Sequence, residues 1–428
     1  MSKNKGKPQK KHIHYGKGTP ATKVITPTPT KPAEKSSMAA PINFEEQVTL
    51  IFNATDTLFF RESRPMEAMG EAQSVFPPPV RTLAGALRTL IGEHFEVKWH
   101  EFDQKKGEHP LAAHIGFGES LGNLRFQGAW LAWGEDDKRE RLYPAPLHLM
   151  KKDDDLFPLE LAKETTWCDL GHYVRLPKLP DSDKYKGGKP LENTWLTREG
   201  LETVLNDGTP TKEQTKTAKE LFEQESRLGI ARDNATRSVQ KSLLYQTQHI
   251  RPKAELSIEL DVSGLPNNMP SNAIVRLGGE GRTASLSIKQ ADNTFPQVDI
   301  NSKKINSKKF ALYLLTPLYA SPCLGLKRQQ CTEQKTTLWK GKLKGIDLTL
   351  HGAITGKVQR VGGWDAAANK PRPVKSLIPA GSVFFCSVDN SDIQSSIKAL
   401  HNQHIGEFTE YGYGHIAVGV WNDNETQG

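Results

Sequence analysis

The sequence predicts an α+β chain built on two β-sheets, each with helices on one face. Three observations carry this expectation. Short β-branched runs recur along the chain, helical stripes are few, and one cluster of chain breakers, SGLPNNMPSN (Ser263–Asn272), separates two stretches of similar rhythm. A length of 428 residues calls for two or three domains at about 100–200 residues each.

Residues 1–42 are Lys, Pro, Thr and Ser with few apolar anchors. Such a segment buries too little surface to offset its ordering entropy, so a disordered basic tail is expected. It carries nine lysines against the single acid Glu34, which accounts for the whole net charge of +8. The remainder is balanced, so any affinity for nucleic acid has to be argued from local pattern and not from the pI of 9.1. As a solubilising extension the tail needs no partner, and that reading is favoured over a phosphate-attracting arm. No apolar stretch follows Met1, so no secretory leader is expected. Four scattered cysteines without a CxxC pair fit a reducing cytoplasm. The longest uncharged run, Phe310–Leu326, is interrupted by Pro317 and Pro322 and cannot form the ~20-residue apolar helix of a membrane span.

In the body, Val48–Phe52 alternates as a strand does. Val80–Phe95 puts Leu83, Ala84, Leu87, Leu90 and Ile91 on one helical face, with Arg81 and Arg88 away from it and Pro77–Pro79 just ahead. Strands are expected at Leu124–Trp133 and Arg141–Leu149, and a solvated loop at Asp153–Asp155. Residues 181–193 are turn-rich, and 211–226 read as a polar helix packed through Leu221 and Phe222. Ala254–Val262 alternates strictly, as a half-buried strand. Beyond the breaker cluster, strands are expected at Ala273–Leu277, Thr283–Ile288, Phe310–Leu315, Leu348–Thr355, Ser382–Ser387 and His415–Trp421. A helix is expected at Asp392–Asn402, with Asp392 compensating its dipole. The organisation read from this is a tail (1–42), an N-terminal domain with insertions (43–265) and a C-terminal domain (266–428). The plainest architecture for each half is the ferredoxin-like split βαβ unit, although periodicity alone does not select it over other α+β folds.

Six segments, in order, resemble one family. They are RESRPM…FPPPVRTLAGALRTLIG (Arg61–Gly92), ESRLGIARDNATRSVQKSLLY (Glu225–Tyr245), RLGGEGRTA (Arg276–Ala284), GGWD (Gly362–Asp365), IPAGSVFF (Ile378–Phe385) and EYGYGHIAVG (Glu410–Gly419). Together they are similar to the third subunit of the Cmr complex, the type III-B CRISPR RNA-guided effector, within the RAMP superfamily. The resemblance covers roughly residues 45–421. It implies two ferredoxin-like (RRM-related) domains with long loop insertions and a non-catalytic role in antiviral defence. It also implies that the chain holds the 5′ repeat-derived tag of the CRISPR guide RNA. The implied partners are that RNA, the large polymerase-like subunit, neighbouring RAMP subunits and, indirectly, foreign target RNA. The N-terminal tail has no counterpart in the family pattern.

The residues that fit such a role fall into three groups. Arg61, Arg64 and Arg81 surround the FPPP loop and the helix start, where guanidinium forks grip phosphates, and the resemblance favours this over pairing with Glu62 and Glu67. Arg88 reads as a solvated helix face. The segment Arg227–Lys253 has six basic residues against Asp233, among them Arg227, Arg232, Arg237 and Lys241. It reads as a basic protrusion that contacts RNA, with Tyr245 or His249 available to stack on a base, in preference to an ordinary exposed hairpin. Glycines allow sharp turns and close approach at LGGEGR (Gly278, Gly279 beside Arg282) and in the C-terminal loop (Gly412, Gly414), which resembles the glycine-rich loop of RAMP proteins. The lysines at Lys303–Lys309 and from Lys327 to Lys344 fit an extension of an RNA groove, a contact with a neighbouring subunit, or a flexible loop that does neither, and no site is assigned to them.

His94 at the end of the first helix is the best candidate for chemistry, since RNA-cleaving RAMP relatives often place a catalytic histidine there. No Lys–Tyr partner set accompanies it, and a histidine at a helix C-terminus is favoured by the dipole alone. His401 and His404 lack companions at metal-ligand spacing. No catalytic site, metal or cofactor is expected. A metal-independent CRISPR-transcript endoribonuclease using His94 and a generic RNA-binding scaffold remain the alternatives.

Overall fold

The computed structural model describes residues 47–63, 71–232, 235–236, 239–292, 294–300, 308–320, 322–365, 368–389 and 392–423. The expected disordered tail, Arg64 and Arg237 lie outside the described residues, as do the side chains of Arg232 and Lys241.

β1 (Val48–Ala54) is the expected alternating run, two residues longer. α1 (Val80–His94) forms where apolar residues recur at helical spacing, immediately after the prolines that bar an earlier start. Its stripe of Leu83, Ala84, Leu87, Leu90 and Ile91 is buried. Each fully buried Leu or Ile there contributes about 1.5–3 kcal/mol, well above propensity differences of under about 1 kcal/mol per residue, so packing and not propensity fixes the helix. β2 (Arg125–Trp133) and β3 (Glu140–Pro144) follow, then a hairpin of β4 (Glu160–Cys168) and β5 (Gly171–Lys178). β6 (Thr194–Leu196) leads into α2 (Arg198–Leu205), whose cap Thr197 accepts from the Gly200 N–H at 3.1 Å. Next come β7 (Thr215–Thr217), the long hairpin β8 (Phe222–Arg232) and β9 (Val239–Pro252), and β10 (Leu256–Ser263). β11 (Asn272–Arg276) and β12 (Thr283–Gln290) complete this part.

The first sheet has the strand order β7-β6-β3-β2-β10-β1-β12-β11. β1 is antiparallel to β10 and to β12, and β10 is antiparallel to β2. β1 and β2 therefore run parallel with β10 between them, and α1 is the crossover. The second sheet is built from β13 (Lys309–Leu314), β14 (Lys327–Cys331), β15 (Thr336–Leu343), β16 (Ile346–Ile354) and β17 (Val383–Val388). α3 (Ile393–Leu400), β18 (Gln403–His404) and β19 (His415–Val420) end it. Its order is β14-β15-β16-β17-β13-β19-β18. β13 and β16 run parallel with β17 between them, and α3, capped by Asp392 accepting from Ser395 N–H at 2.9 Å, connects β17 to β19. The central strands thus repeat one pattern, β2-β10-β1-β12 and β16-β17-β13-β19.

Three apolar clusters give the layers. Leu50, Phe52, Phe126, Ile258 and Val262 pack with α1 on one face of the first sheet. Phe310, Leu312, Leu314, Phe384 and Val418 pack with Ile397 and Leu400 of α3 on one face of the second. Between the sheets, Trp130, Tyr143, Leu196 and the α2 residues Leu201, Val204 and Leu205 share a cluster with Ala311, Tyr313, Phe385, Ala417 and Trp421. Odd and even residues of β13 fall in different clusters, which explains its unbroken apolar run.

Four expectations change. Residues 211–226 hold β7, a single helical turn at Ala218–Leu221 and the start of β8, because pairing along β9 outweighs local helical preference; Leu221 is buried as expected. The Lys327–Lys344 stretch is not a loop but β14 and β15 at a sheet edge, where lysines discourage further pairing. β10 is buried on both faces: Glu259 and Asp261 lie inside because the Arg141 guanidinium donates to both, at 3.0 and 2.8 Å. The boundary expected at 265/266 falls within the run of the first sheet, since β12 pairs with β1 from Val48↔Gln290 to Ala54↔Ala284.

Candidate nucleic-acid interface

The first turn of α1 sends Arg81 away from the apolar stripe into a cavity of about 310 Å³. Its guanidinium lies 4.2 Å from the centroid of the Tyr411 ring, and Nη2 donates to Oε2 of Glu119 at 2.7 Å. Arg372 also donates to the Glu119 carboxylate. The Lys375 ammonium sits 3.4 Å from the centroid of Phe408 and 5.3 Å from that of Tyr319. Burial, then the charge of Arg81, lower the pKa of Lys375. Among the described residues no carboxylate lies within ion-pair distance of it. Three cations and the rings of Tyr319, Phe408 and Tyr413 thus line one cavity with the Glu119 carboxylate, and Asp365 reaches Arg372 at 3.7 Å.

Distant stretches build this cavity. Arg81 and Tyr411 are separated by 330 residues. Arg372 and Lys375 come from an arm in which Gln359–Val361 pairs with Lys375–Leu377 and Trp364–Asp365 with Lys370–Pro371. Phe408 takes φ 58°, an uncommon left-handed conformation for a bulky residue, in the loop that presents its ring. Gly412 and Gly414 are buried, and their N–H groups donate to the carbonyls of Thr409 and Pro317 at 2.9 and 2.8 Å. Those amides are spent, so neither glycine cradles a phosphate as expected. Gly412 allows the loop to lie against β2, where an added Cβ would come within 2.9 Å of the Phe126 carbonyl, and thereby brings Tyr411 and Tyr413 to the cavity.

Arg88 departs from the solvated face expected for it. It is half-buried, its Nη2 within 3.5 Å of the Ser120 carbonyl, and burial lowers its pKa. Arg61 is exposed and bridges Ser74 through its backbone. Two residues on, the Ser63 hydroxyl accepts from Gly362 N–H at 2.8 Å, which ties this segment to the cavity wall.

A second cluster gathers Arg227, Arg251 and Arg282 around Asp56, at 3.4, 2.9 and 3.3 Å, with Glu225 also bonded to Arg227 at 2.7 Å. Arg251 and the backbone of Thr57 contribute to holding the Asp56 carboxyl below its ordinary pKa, the backbone most. Beside them His249 stacks on Phe59, centroids 5.0 Å apart, and is buried rather than free to stack on a base. Gly278 takes φ 83°, and Gly279 N–H donates to the Phe59 carbonyl at 2.8 Å, so these glycines shape the turn and dock it. The excess of charge counted over Arg227–Lys253 is partly cancelled, because β8 sets Glu223 opposite Arg251 and Glu225 opposite His249. The structure therefore brings Arg227 and Arg282 together and leaves Arg81 in a different cluster.

His94 is exposed at the end of α1, its ring edge-on to Phe95 at 5.1 Å. His401 is held by the Pro296 carbonyl and by Val418 N–H. His404 stacks on His415, centroids 4.6 Å apart; burial pushes His404 down to about 4 and His415 well below its usual value. Among the described residues no group of three or more His, Cys, Asp or Glu is placed to hold a metal. Among them, too, no helix is long and apolar enough to cross a membrane.

Glu119, Arg372, Lys375, Tyr319 and Phe408 do not stand out in the sequence. The run KPRPVK (Lys370–Lys375) carries a usable signal, three cations interspersed with two prolines, but Glu119 sits in an ordinary Gly-rich turn.

Among known proteins, the CRISPR system CMR subunit Cmr3 of Saccharolobus solfataricus is 23% identical over 260 residues, 60% of this chain and 67% of the relative. A chain of the type III-B Cmr-beta complex bound to cognate target RNA aligns with 16% identity and a TM-score of 0.44, covering 86% of this chain and 96% of that one. A chain of the Csm3–Csm4 subcomplex of the type III-A interference complex aligns with 11% identity and a TM-score of 0.35, covering 80% and 92%. Residues 50–421, nearly the whole described body, match the CRISPR-associated protein family Cas_Cmr3, and the chain belongs to that family.

Proposed function

We propose that the chain is a non-catalytic guide-RNA-binding subunit of a type III-B CRISPR (Cmr) effector complex. In this reading it holds the 5′ repeat-derived tag and docks against the large polymerase-like subunit and neighbouring RAMP subunits, meeting foreign target RNA only through the guide. Membership of the Cas_Cmr3 family supports the setting, as does the name of the Saccharolobus relative, a CMR subunit. A cytoplasmic location and a disordered tail belong to the same reading. The repeated order β2-β10-β1-β12 and β16-β17-β13-β19 supports two ferredoxin-like halves, the first keeping one crossover helix and the second the other.

The observation that carries the RNA reading is the cavity of Arg81, Arg372 and Lys375 against the half-buried rings of Tyr319 and Phe408, with the buried Tyr411 ring supporting Arg81. Cations take phosphates and flat faces take unpaired bases, the combination that single-stranded RNA requires. Arg81→Ala/Arg372→Ala should weaken binding of a tag-bearing RNA by roughly ten- to a hundredfold at about 1 kcal/mol per arginine–phosphate bond. The salt dependence should flatten by ~0.7 in slope for each phosphate that is no longer gripped. An unchanged slope would sink the assignment. The isolated protein should leave a repeat-containing transcript intact; specific cleavage abolished by His94→Ala would replace this reading with an endoribonuclease.

A further inference from the structure

We propose that Glu119 is an internal stand-in for an RNA phosphate, seated between Arg81 and Arg372 and displaced when a phosphate enters. The proposal rests on the RNA-binding reading of this cavity and adds how its occupancy is controlled.

The Glu119 side chain is 54% exposed, whereas the two arginines that it joins are 15% and 19% exposed. An incoming anion therefore meets the carboxylate before it meets the cations. A carboxylate and a phosphate offer a guanidinium the same pair of oxygens, so the exchange replaces the bonds it breaks. The cavity does not depend on the carboxylate for its shape. Tyr411 donates its hydroxyl to the main-chain carbonyl of Glu119, 3.3 Å away, and Arg81 stays on the Tyr411 ring by its own contact. Lys375, with no carboxylate within ion-pair distance among the described residues and Glu119, Glu407 and Glu410 acting on it only from farther away, is a third cation that the phosphate gains. Burial pushes the Glu119 carboxyl up, yet Arg81 and Arg372 outweigh that and hold it ionised. The consequence is a threshold. A loose anion has to displace a tethered one, whereas a strand anchored at neighbouring positions does so readily.

The test uses the full chain and a fluorescent 12-nucleotide single-stranded RNA. Glu119→Gln should bind about tenfold more tightly than wild type, with a steeper salt slope, because one like charge facing the ligand is gone. Glu119→Ala is read in the same way. Unchanged or weaker binding by variants that melt like wild type would overturn the proposal and make Glu119 a clamp that builds the cavity. If both variants melt early, carbodiimide labelling of wild type decides: RNA should increase modification of Glu119, and unchanged or reduced labelling overturns the proposal. The arginine double variant separates the two levels. Wild-type affinity in Arg81→Ala/Arg372→Ala removes the RNA reading of the cavity, whereas weakened affinity there without tightening in Glu119→Gln removes the stand-in alone.

Discussion

At the scale of single residues, side chains held in an unfavourable ionisation state have measurable consequences. His404 lies against His415, with Lys344 adding positive charge nearby, and burial depresses its pKa to about 4. A histidine kept neutral by the fold stabilises it fully above the unfolded pKa of about 6.5, and that contribution is lost as pH falls from there towards 4. The loss from His404 alone is on the order of 3 kcal/mol at about 1.4 kcal/mol per unit. Urea unfolding followed between pH 7 and 4 should therefore show falling stability, and His404→Leu should flatten part of that fall; an equally steep profile would contradict the burial argument. The sequence revealed His404 only as a histidine without ligand companions, since its stacking partner lies across a strand pair. Arg81 was legible because its place beside a helix start is local. Glu119 was not, because its importance comes from two arginines on remote segments.

At the scale of elements, local patterns held where one periodicity governs and failed where pairing decides. α1 and β1 were readable from their spacing. β8 was not, because its polar run becomes a strand only through the ladder to β9. Leu228 and Ile230 of that hairpin are 72% and 49% exposed, so these two apolar side chains add little to the core. Arg232→Ala/Arg237→Ala/Lys241→Ala should therefore change stability by less than about 0.5 kcal/mol while weakening RNA binding by roughly two orders of magnitude. Paired melting and affinity measurements check this; a sharp drop in melting with RNA binding intact would place these residues in packing instead. Closer to the core, Asp56 and Glu225 already neutralise much of the charge of Arg227, Arg251 and Arg282, so those arginines first fasten the hairpin base to the β11–β12 turn.

At the scale of the whole molecule, the cluster shared by Trp130, Tyr143, Leu201, Tyr313, Phe385 and Trp421 joins the two sheets. Calorimetry of residues 41–428 should give one cooperative transition, with van't Hoff and calorimetric enthalpies in agreement. Two resolved transitions would mean that the sheets are independently stable. For the same reason a fragment ending at residue 265 should not fold well, since it lacks β11 and β12 and exposes the apolar face that the second sheet covers. The breaker cluster at Ser263–Asn272 suggested the cut because turn residues mark a change of direction, which here is a turn within one sheet and not a boundary between two.

The separation of Arg81 from Tyr411 by 330 residues also bears on when the protein becomes competent. While the chain is still being synthesised, α1 is complete long before the Phe408–Tyr413 loop exists, and Arg81 has no ring to rest on. A nascent chain can hold its first helix and still have no finished cavity around Arg81. The cavity is thereby finished only when the last strand, β19, pairs with β13 and closes the second sheet.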